Sequence, residues 1–300
     1  MMRITESLLM DTTTRNVDTS SSNYQNLAQE LSTGKKLNEP SDDPAGTAQA
    51  LNINSSLSNI TQYTTNANYA SSFMSMSDST LNSVYNLMTQ ARQIALSAAN
   101  GATQDSTSTA ADTAQINSII EQITNLANSD YNGQRLFSGQ QTSTNPYVVG
   151  DPTILTNPAQ AYKGDDGNIT VTVGNSTKIN INTPGDTIFT PIFTALASLQ
   201  TDVSSGNASA ISNNDLQLID NASNNVLQTR ASFGAKVDQV NSILQSLQTS
   251  SANFQSELSN IQDADMATLV TNLQVAQNVY QASLISVSKA FQYSLADFIQ

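Results

Sequence analysis

Alternating steps of three and four residues from Leu216 land on Leu216, Ile219, Ser223, Val226, Arg230, Phe233, Val237, Val240, Leu244, Leu247, Ser251, Phe254, Leu258 and Ile261. Eleven of these fourteen positions are apolar, enough to read the line as one continuous heptad seam. Such a seam makes a long helix pack lengthwise against other helices. From 216 to 261 that helix would run roughly 70 Å at about 1.5 Å per residue. A helix of this length does not fit inside a compact domain, so the expected body is a rod. Gly234 is the one weak point along it.

A second seam occupies Ala70, Met74, Ser77, Leu81, Val84, Met88, Ala91, Ala95 and Ala98. Its residues are smaller, which allows a partner helix to approach closely. Asp43 is placed to N-cap this segment with Pro44 at the first helical position. Gly34 is a plausible stop for the helix before it, and Asn100-Gly101 ends the segment. A shorter helix carries Ile116, Ile119, Ile120, Ile123 and Leu126. The rod seam is expected to bring Leu81, Val84 and Met88 together with Phe233, Val237, Val240, Leu244, Leu247, Phe254, Leu258 and Ile261.

The middle has a different texture. Residues 131–192 hold Pro146, Pro152, Pro158, Pro184 and Pro191 among alternating patterns. Ile169-Thr170-Val171-Thr172-Val173 and Lys178-Ile179-Asn180-Ile181-Asn182 alternate with period two around Gly174-Asn175, a hairpin signal. Asn132-Gly133 marks a second small hairpin with Leu136 and Phe137 behind it. The fold expected is mainly α: an elongated coiled-coil helical rod formed by the N- and C-terminal halves, with a small β-rich domain inserted in the middle. The divisions expected are terminal helices at 1–40 and 264–300, a helical rod at 41–139 and 200–263, and the insert at 140–199.

Both ends carry apolar stripes. One runs through Ile4, Leu8, Val17, Tyr24, Leu27 and Leu31. The stronger runs through Leu269, Leu273, Ala276, Tyr280, Leu284, Val287, Phe291, Leu295 and Phe298. An uncovered apolar stripe wants a partner. The expected partner is the other chain end, then neighbouring subunits, and helices of this sort are expected to be largely disordered alone. The candidate assembly interface is therefore Ile4, Leu8, Leu27, Leu31, Leu269, Leu273, Tyr280, Leu284, Val287, Phe291, Leu295 and Phe298.

Charged residues are 12% of the chain, against roughly 25% in typical soluble domains, and Ser, Thr, Asn and Gln fill the gap. Neutral hydrogen-bonding faces can meet neighbouring subunits without desolvating charge. The net charge of −13 provides no basic footprint for nucleic acid or an anionic membrane surface. The N-terminus lacks the apolar run and cleavage site of a secretory signal. No 18-residue apolar stretch would span a membrane.

With no Cys and no His, Ser-His-Asp and Cys-His catalysis and thiolate or imidazole metal sites are excluded. Carboxylates remain. Asp42-Asp43 is better explained by helix capping than by acid–base work. Asp165-Asp166-Gly167-Asn168 lacks the alternating acids and closing Glu of an EF-hand loop and reads as a tight turn. Asp263 and Asp265 mark a break between two helices, with Asp265 as N-cap. Arg92 and Arg230 fall at or near a seam, where a buried guanidinium needs a carboxylate partner within the chain or across an interface. No cofactor or metal is expected, and no enzyme activity.

Several motifs resemble those of a known family. Leu31-Ser32-Thr33-Gly34-Lys35-Lys36-Leu37-Asn38 with Ser41-Asp42-Asp43-Pro44-Ala45-Gly46 is similar to the N-terminal signature of flagellin-like proteins. Leu81-Asn82-Ser83-Val84, Gln90-Ala91-Arg92-Gln93-Ile94-Ala95-Leu96 and Ala98-Ala99-Asn100-Gly101 resemble the helix that follows it. Tyr131-Asn132-Gly133-Gln134-Arg135-Leu136-Phe137-Ser138-Gly139 resembles the turn closing that half. Asn260-Ile261-Gln262-Asp263-Ala264-Asp265 resembles the C-terminal junction motif. The set covers about two thirds of the chain and resembles the bacterial flagellins and, more closely, the hook-associated protein 3 family of hook–filament junction proteins. Met2-Arg3-Ile4-Thr5, Pro44 and Leu136-Phe137-Ser138-Gly139 favour the junction branch, while the ending Leu295-Ala296-Asp297-Phe298-Ile299-Gln300 is less decisive.

That resemblance implies a structural adaptor whose two termini pair as helices during assembly and whose insert projects outward. The implied partners are the first hook-associated protein, flagellin, further copies of itself in a ring, and a flagellar export chaperone. The implied location is the extracellular flagellum, reached by the flagellar type III secretion route without a cleaved signal. A short filament flagellin is the alternative. A secreted carboxylate-dependent enzyme housed in 140–200, using Asp165 or Asp166, is the remote one.

Overall fold

The computed structural model describes the backbone of residues 2–100 and 105–298 and the side chains of 8, 10–100 and 105–289. Nine α-helices and two two-stranded antiparallel sheets follow one another among these residues. In chain order they are α1 (Met2–Thr33), α2 (Pro44–Ala99), α3 (Ser106–Ala127), β1 (Asp130–Tyr131), β2 (Gln134–Arg135), α4 (Thr153–Thr156) and α5 (Pro158–Ala161). Next come β3 (Thr170–Thr172), β4 (Lys178–Asn180), α6 (Gly185–Ser204), α7 (Ala208–Ala210), a π-helical turn (Ile211–Asp215), α8 (Leu216–Gln262) and α9 (Met266–Phe298). The chain forms two compact units, 60–249 and 1–59 with 250–300, and both α2 and α8 contribute to each.

The unit 60–249 is organised by the two seams. Ala70, Met74, Ser77, Leu81, Val84, Met88, Ala91 and Ala95 of α2 are all completely buried. So are Ile219, Val226 and Val240 of α8, with Phe233 at 1%. Each large apolar side chain buried here contributes about 1.5–3 kcal/mol relative to exposure. The buried Ser77 is satisfied by donating to the Phe73 carbonyl at 2.9 Å. Asp78 pairs with Arg230 at 2.9 Å and Arg92 with Asp220 at 2.6 Å. Residue numbers thus rise along α2 as they fall along α8, so the two helices run antiparallel. Both guanidiniums find their carboxylates within the chain. These pairs are part-exposed and screened by solvent; they fix register more than stability.

The α8 seam thins toward its C-terminal end. Val237, Leu244 and Leu247 are half-buried, and the large core reaches only as far as Ile243 and Leu244. Phe254, Leu258 and Ile261, in the other unit, are half-buried as well.

Both expected hairpins form, one at the Asn132-Gly133 turn and one across the period-two patterns. Asp130 pairs with Arg135 and Tyr131 with Gln134. Asn132 and Gly133 connect them at φ 52° and 79°, the doubly positive turn that matches strand twist. Thr170, Val171 and Thr172 pair with Asn180, Ile179 and Lys178. The segment 140–199 holds more helix than its pattern announces, because α6 begins inside it. Ile188, Phe189, Ile192, Phe193, Ala195, Leu196 and Leu199 of α6 are completely buried. Pro191 sits inside this helix and cannot donate to the carbonyl four residues back. That carbonyl, Thr187 O, instead accepts Asn225 Nδ2 from α8 at 2.8 Å. A tertiary contact therefore repairs the bond that the proline removes, and the helix continues.

Tyr147 and Phe189 anchor the packing around α6. Tyr147 lies 5.0 Å from Phe193 and 5.6 Å from Tyr162 between ring centres, and Phe137 lies 5.1 Å from Phe189 edge to face. Asn128 fixes Tyr147 by bonding both its N–H and its carbonyl. The Leu136-Phe137-Ser138 stretch is buried, and Gly139 follows at φ 66°. A Cβ on Gly139 would fall 2.0 Å from the Asp165 carbonyl oxygen. The Asp165 carboxylate accepts Gln140 N at 2.6 Å and Gly167 N at 3.0 Å, so it builds a turn and clasps the neighbouring loop.

Gly133 and Gly139 therefore provide a matched pair. Gly133→Ala meets only the left-handed backbone penalty, about 1 kcal/mol, because nothing lies near its missing Cβ. Gly139→Ala meets that penalty and a backbone collision. Thermal denaturation of the two variants should show the larger loss for Gly139→Ala; equal losses would contradict this packing.

Candidate assembly interface

The unit formed by 1–59 and 250–300 is held by the pairing of α1 with α9. Its geometry begins at the turn between helix and loop. Gly34 ends α1 at φ 70°, with its N–H on the Glu30 carbonyl at 2.8 Å. The chain leaving α1 then meets the chain leaving α8. Lys35 and Asp263 form an antiparallel bridge. Lys36 N donates to Gln262 O at 2.8 Å, and Ala264 N to Gly34 O at 3.0 Å. Lys36 Nζ adds a bond to Asn260 O at 3.0 Å. These bonds tie the two motif-bearing segments, 31–38 and 260–265, to each other directly.

Aspartates set the helix starts on either side. Asp265 Oδ1 accepts the N–H groups of Ala267 and Thr268, and Oδ2 accepts the Thr268 hydroxyl. This is an N-cap for α9, and the bonds from Thr268 hold the Asp265 carboxyl below its ordinary range. Asp43 accepts Ala45 N at 3.1 Å at the start of α2. Its neighbour Asp42 does different work: it gathers the N–H groups of Asn38 and Glu39 at 3.0 and 2.8 Å and folds the loop between α1 and α2.

Along the pair, Leu269 and Ala276 of α9 are buried. Leu273, Tyr280 and Val287 of α9 and Val17, Tyr24, Leu27 and Leu31 of α1 are half-buried. Tyr24 and Tyr280 stack with centres 6.1 Å apart and planes 5° apart, within the range of favourable ring contacts. Leu8 and Leu284, which belong to the same stripes, are exposed. Ile4, Phe291, Leu295 and Phe298 lie outside the residues whose side chains are described.

The α9 helix also shows apolar residues that its stripe omits. Met266, Val270, Val275, Val279 and Ile285 are 46–58% exposed. At about 100° per residue, Met266, Val270 and Leu284 lie to one side of the buried line, Val275 and Val279 to the other, and Ile285 nearly opposite it. Beside Val275 and Val279 a shallow groove is lined by Thr19, Asn23 and Asn26 of α1. A single-stripe reading misses these residues; the missed signal is that no charged residue occurs between Asp265 and Lys289. A monomeric surface helix keeps its outer face charged, whereas this one is neutral all round. Among the described residues no group of three or more His, Cys, Asp or Glu could hold a metal, and no helix is long and apolar enough to cross a membrane.

The comparison with known proteins follows the same division of the chain. The family model for the bacterial flagellin N-terminal helical region matches residues 4–142, and that for the C-terminal helical region matches 216–299. Flagellar hook-associated protein 3 of Salmonella typhimurium is 28% identical over 94% of this chain and 95% of its own length. The protein of that name in Escherichia coli is 26% identical over the same shares. A flagellin of Listeria monocytogenes is 26% identical over 87% of this chain and 86% of its own. Among solved structures, flagellar hook-associated protein 3 of Legionella pneumophila superposes with a TM-score of 0.60 at 15% identity, covering 70% of this chain and 98% of that one. With both flagellin regions matched and the α1–α9 pairing in place between them, the chain belongs to the flagellin-like family of bacterial flagellar proteins.

Proposed function

We propose that this chain is the structural adaptor at the hook–filament junction of a bacterial flagellum. The observation that carries the reading is the α1–α9 pair, which is tied at its base by the Lys35–Asp263 bridge yet leaves Leu8, Val270, Val275, Val279, Leu284 and Ile285 uncovered. An apolar surface of this kind is suited to burial against neighbouring subunits. The near full-length similarity to hook-associated protein 3 of two enterobacteria supports the junction over the filament. In this role 1–40 and 264–300 assemble, 41–139 and 200–263 form the helical body, and 140–199 is presented outward. The partners are the first hook-associated protein on one side, flagellin on the other, and copies of this chain in a ring. Export by the flagellar type III route with a dedicated chaperone accords with this role, and catalysis has no place in it.

The second reading is a filament flagellin, which the extended similarity to Listeria flagellin favours. Both share the coupled folding and binding of the chain ends. They differ in where the protein resides. Gold-labelled antibody against 140–200 should mark a narrow band where hook meets filament; label along the whole filament would make the chain a flagellin.

Two perturbations test the assembly surface itself. Val275→Glu with Val279→Glu places charge on exposed positions, so monomer helicity by circular dichroism should be retained while incorporation into flagella is lost. Removal of 290–300 should likewise abolish incorporation and leave the 60–249 unit folded. Normal incorporation of either variant would exclude α9 as the assembling surface.

A further inference from the structure

Within the 60–249 unit, α6 passes to α8 through α7 and the π-helical turn, and this joint contains a carboxylate that the assembly role leaves unused. Asp215 closes the turn, where Leu216 N donates to Ile211 O five residues back. Asp215 is completely buried. Ser198 Oγ of α6 donates to its Oδ1 at 2.5 Å, and Asn214 Nδ2 reaches the same oxygen at 3.4 Å. Its Oδ2 is buried and has no hydrogen-bond partner. Asp202, near the end of α6, adds a second carboxylate that acts on Asp215. Asp202 is held in place in turn: Asn207 Nδ2 lies 3.3 Å from its Oδ1, and Asn207 N donates to its main-chain carbonyl at 2.8 Å.

Two ionised carboxylates have no proton to place between them, and a buried one without a donor is strongly disfavoured. One proton removes both problems, because a protonated carboxyl donates to its neighbour. We propose that Asp215 keeps a proton on its buried, unpartnered Oδ2 beside Asp202, and that the joint between α6 and α8 is tightest in acid and loosens as this proton is lost to solvent.

Among the described groups that act on Asp215 none is cationic. From α6 the facing groups are Ser198 and Asp202, and from the turn Asn214. The α7 segment has no titratable side chain. The α3 helix, packed on α6, brings Asp112 and Glu121. In α8 the first charged residue is Asp220, engaged with Arg92. No lysine or arginine is among the groups that act most strongly on Asp215. Burial is the largest influence and raises the Asp215 carboxyl above its ordinary value of 3.8; Ser198 opposes this and Asp202 adds to it. A group raised in this way binds its proton more tightly folded than unfolded. Its contribution to stability is therefore full below the ordinary carboxyl value and disappears as pH rises through the raised one.

The test is the thermal midpoint of the full chain between acid and mildly alkaline pH, compared with Asp215→Asn. An amide keeps a donor toward Asp202 and never ionises. The variant should gain on the parent as pH rises, reaching an advantage of about 2–4 °C for a unit of this size, while the two converge in acid. Parallel curves would overturn the proposal. If Asp215→Asn fails to fold, Asp202→Asn removes the other charge and should flatten the same pH dependence. Infrared spectroscopy of the unaltered chain gives a second readout: a protonated-carboxyl band should persist where free aspartates are ionised, and its absence there would overturn the proposal. A midpoint at neutral pH that rises on adding calcium and falls on chelation would instead mean a bridging cation and would equally overturn it.

Discussion

The antiparallel pairing of α2 with α8, marked by the Asp78–Arg230 and Arg92–Asp220 ion pairs, is the interaction on which the larger unit rests. It works by unequal partners. Small alanines at 67, 70, 91, 95 and 98 of α2 share one buried core with the larger Phe233, Val226 and Ile219 of α8 and the aromatic-rich face of α6. Interiors packed to crystal-like density need this alternation of small and large. The polar pairs at 78–230 and 92–220 then select one axial alignment among several that apolar contacts alone would tolerate. Once that alignment is set, Asn225 stands opposite Thr187, and α6 can carry a proline in its middle.

Much of this was legible because a repeat of 3.5 residues and a repeat of two are hard to mistake for each other. Both seams, both hairpins, the glycine stop at 34 and the aspartate start at 265 are local or periodic signals. What escaped was in each case non-local. Nothing near Pro191 in sequence announces the asparagine 34 positions later that compensates for it, so the segment reads as turns. Likewise, a stripe drawn through α9 finds the buried Leu269 and Ala276 and passes over Val270, Val275 and Val279, which lie to either side of the buried line. Their importance shows in the absence of charge rather than in any period. The roles of Asp42 and Asp43 differ although the two are adjacent: one collects loop amides and the other starts a helix.

The smaller unit is assembled on a different principle. Its two helices are long and mostly half-exposed, and few of their side chains are buried. Backbone bonds between 34–36 and 262–264 hold the segments together at one end, so that the ring stack of Tyr24 on Tyr280 and the burial of Leu269 and Ala276 are reached from a fixed origin. Isolated helices with so little burial are marginal; a tied base lowers the entropy that pairing must overcome. Most of the stabilisation available to α9 is then left for whatever covers its remaining faces.

The uncharged run from 266 to 288 has a consequence for how such contacts respond to their medium. Coulomb attraction between exposed groups is screened within about 8 Å at physiological ionic strength, so an interface built on charge weakens in brine and strengthens in fresh water. An interface of valine, leucine and amide side chains has little to screen. Encounter is not electrostatically steered and is correspondingly slower. Once formed, the contact is indifferent to dilution of salt and is strengthened by excluded solutes such as sulfate. For a flagellar protein, the neutral helix trades speed of association for constancy of hold when salt changes.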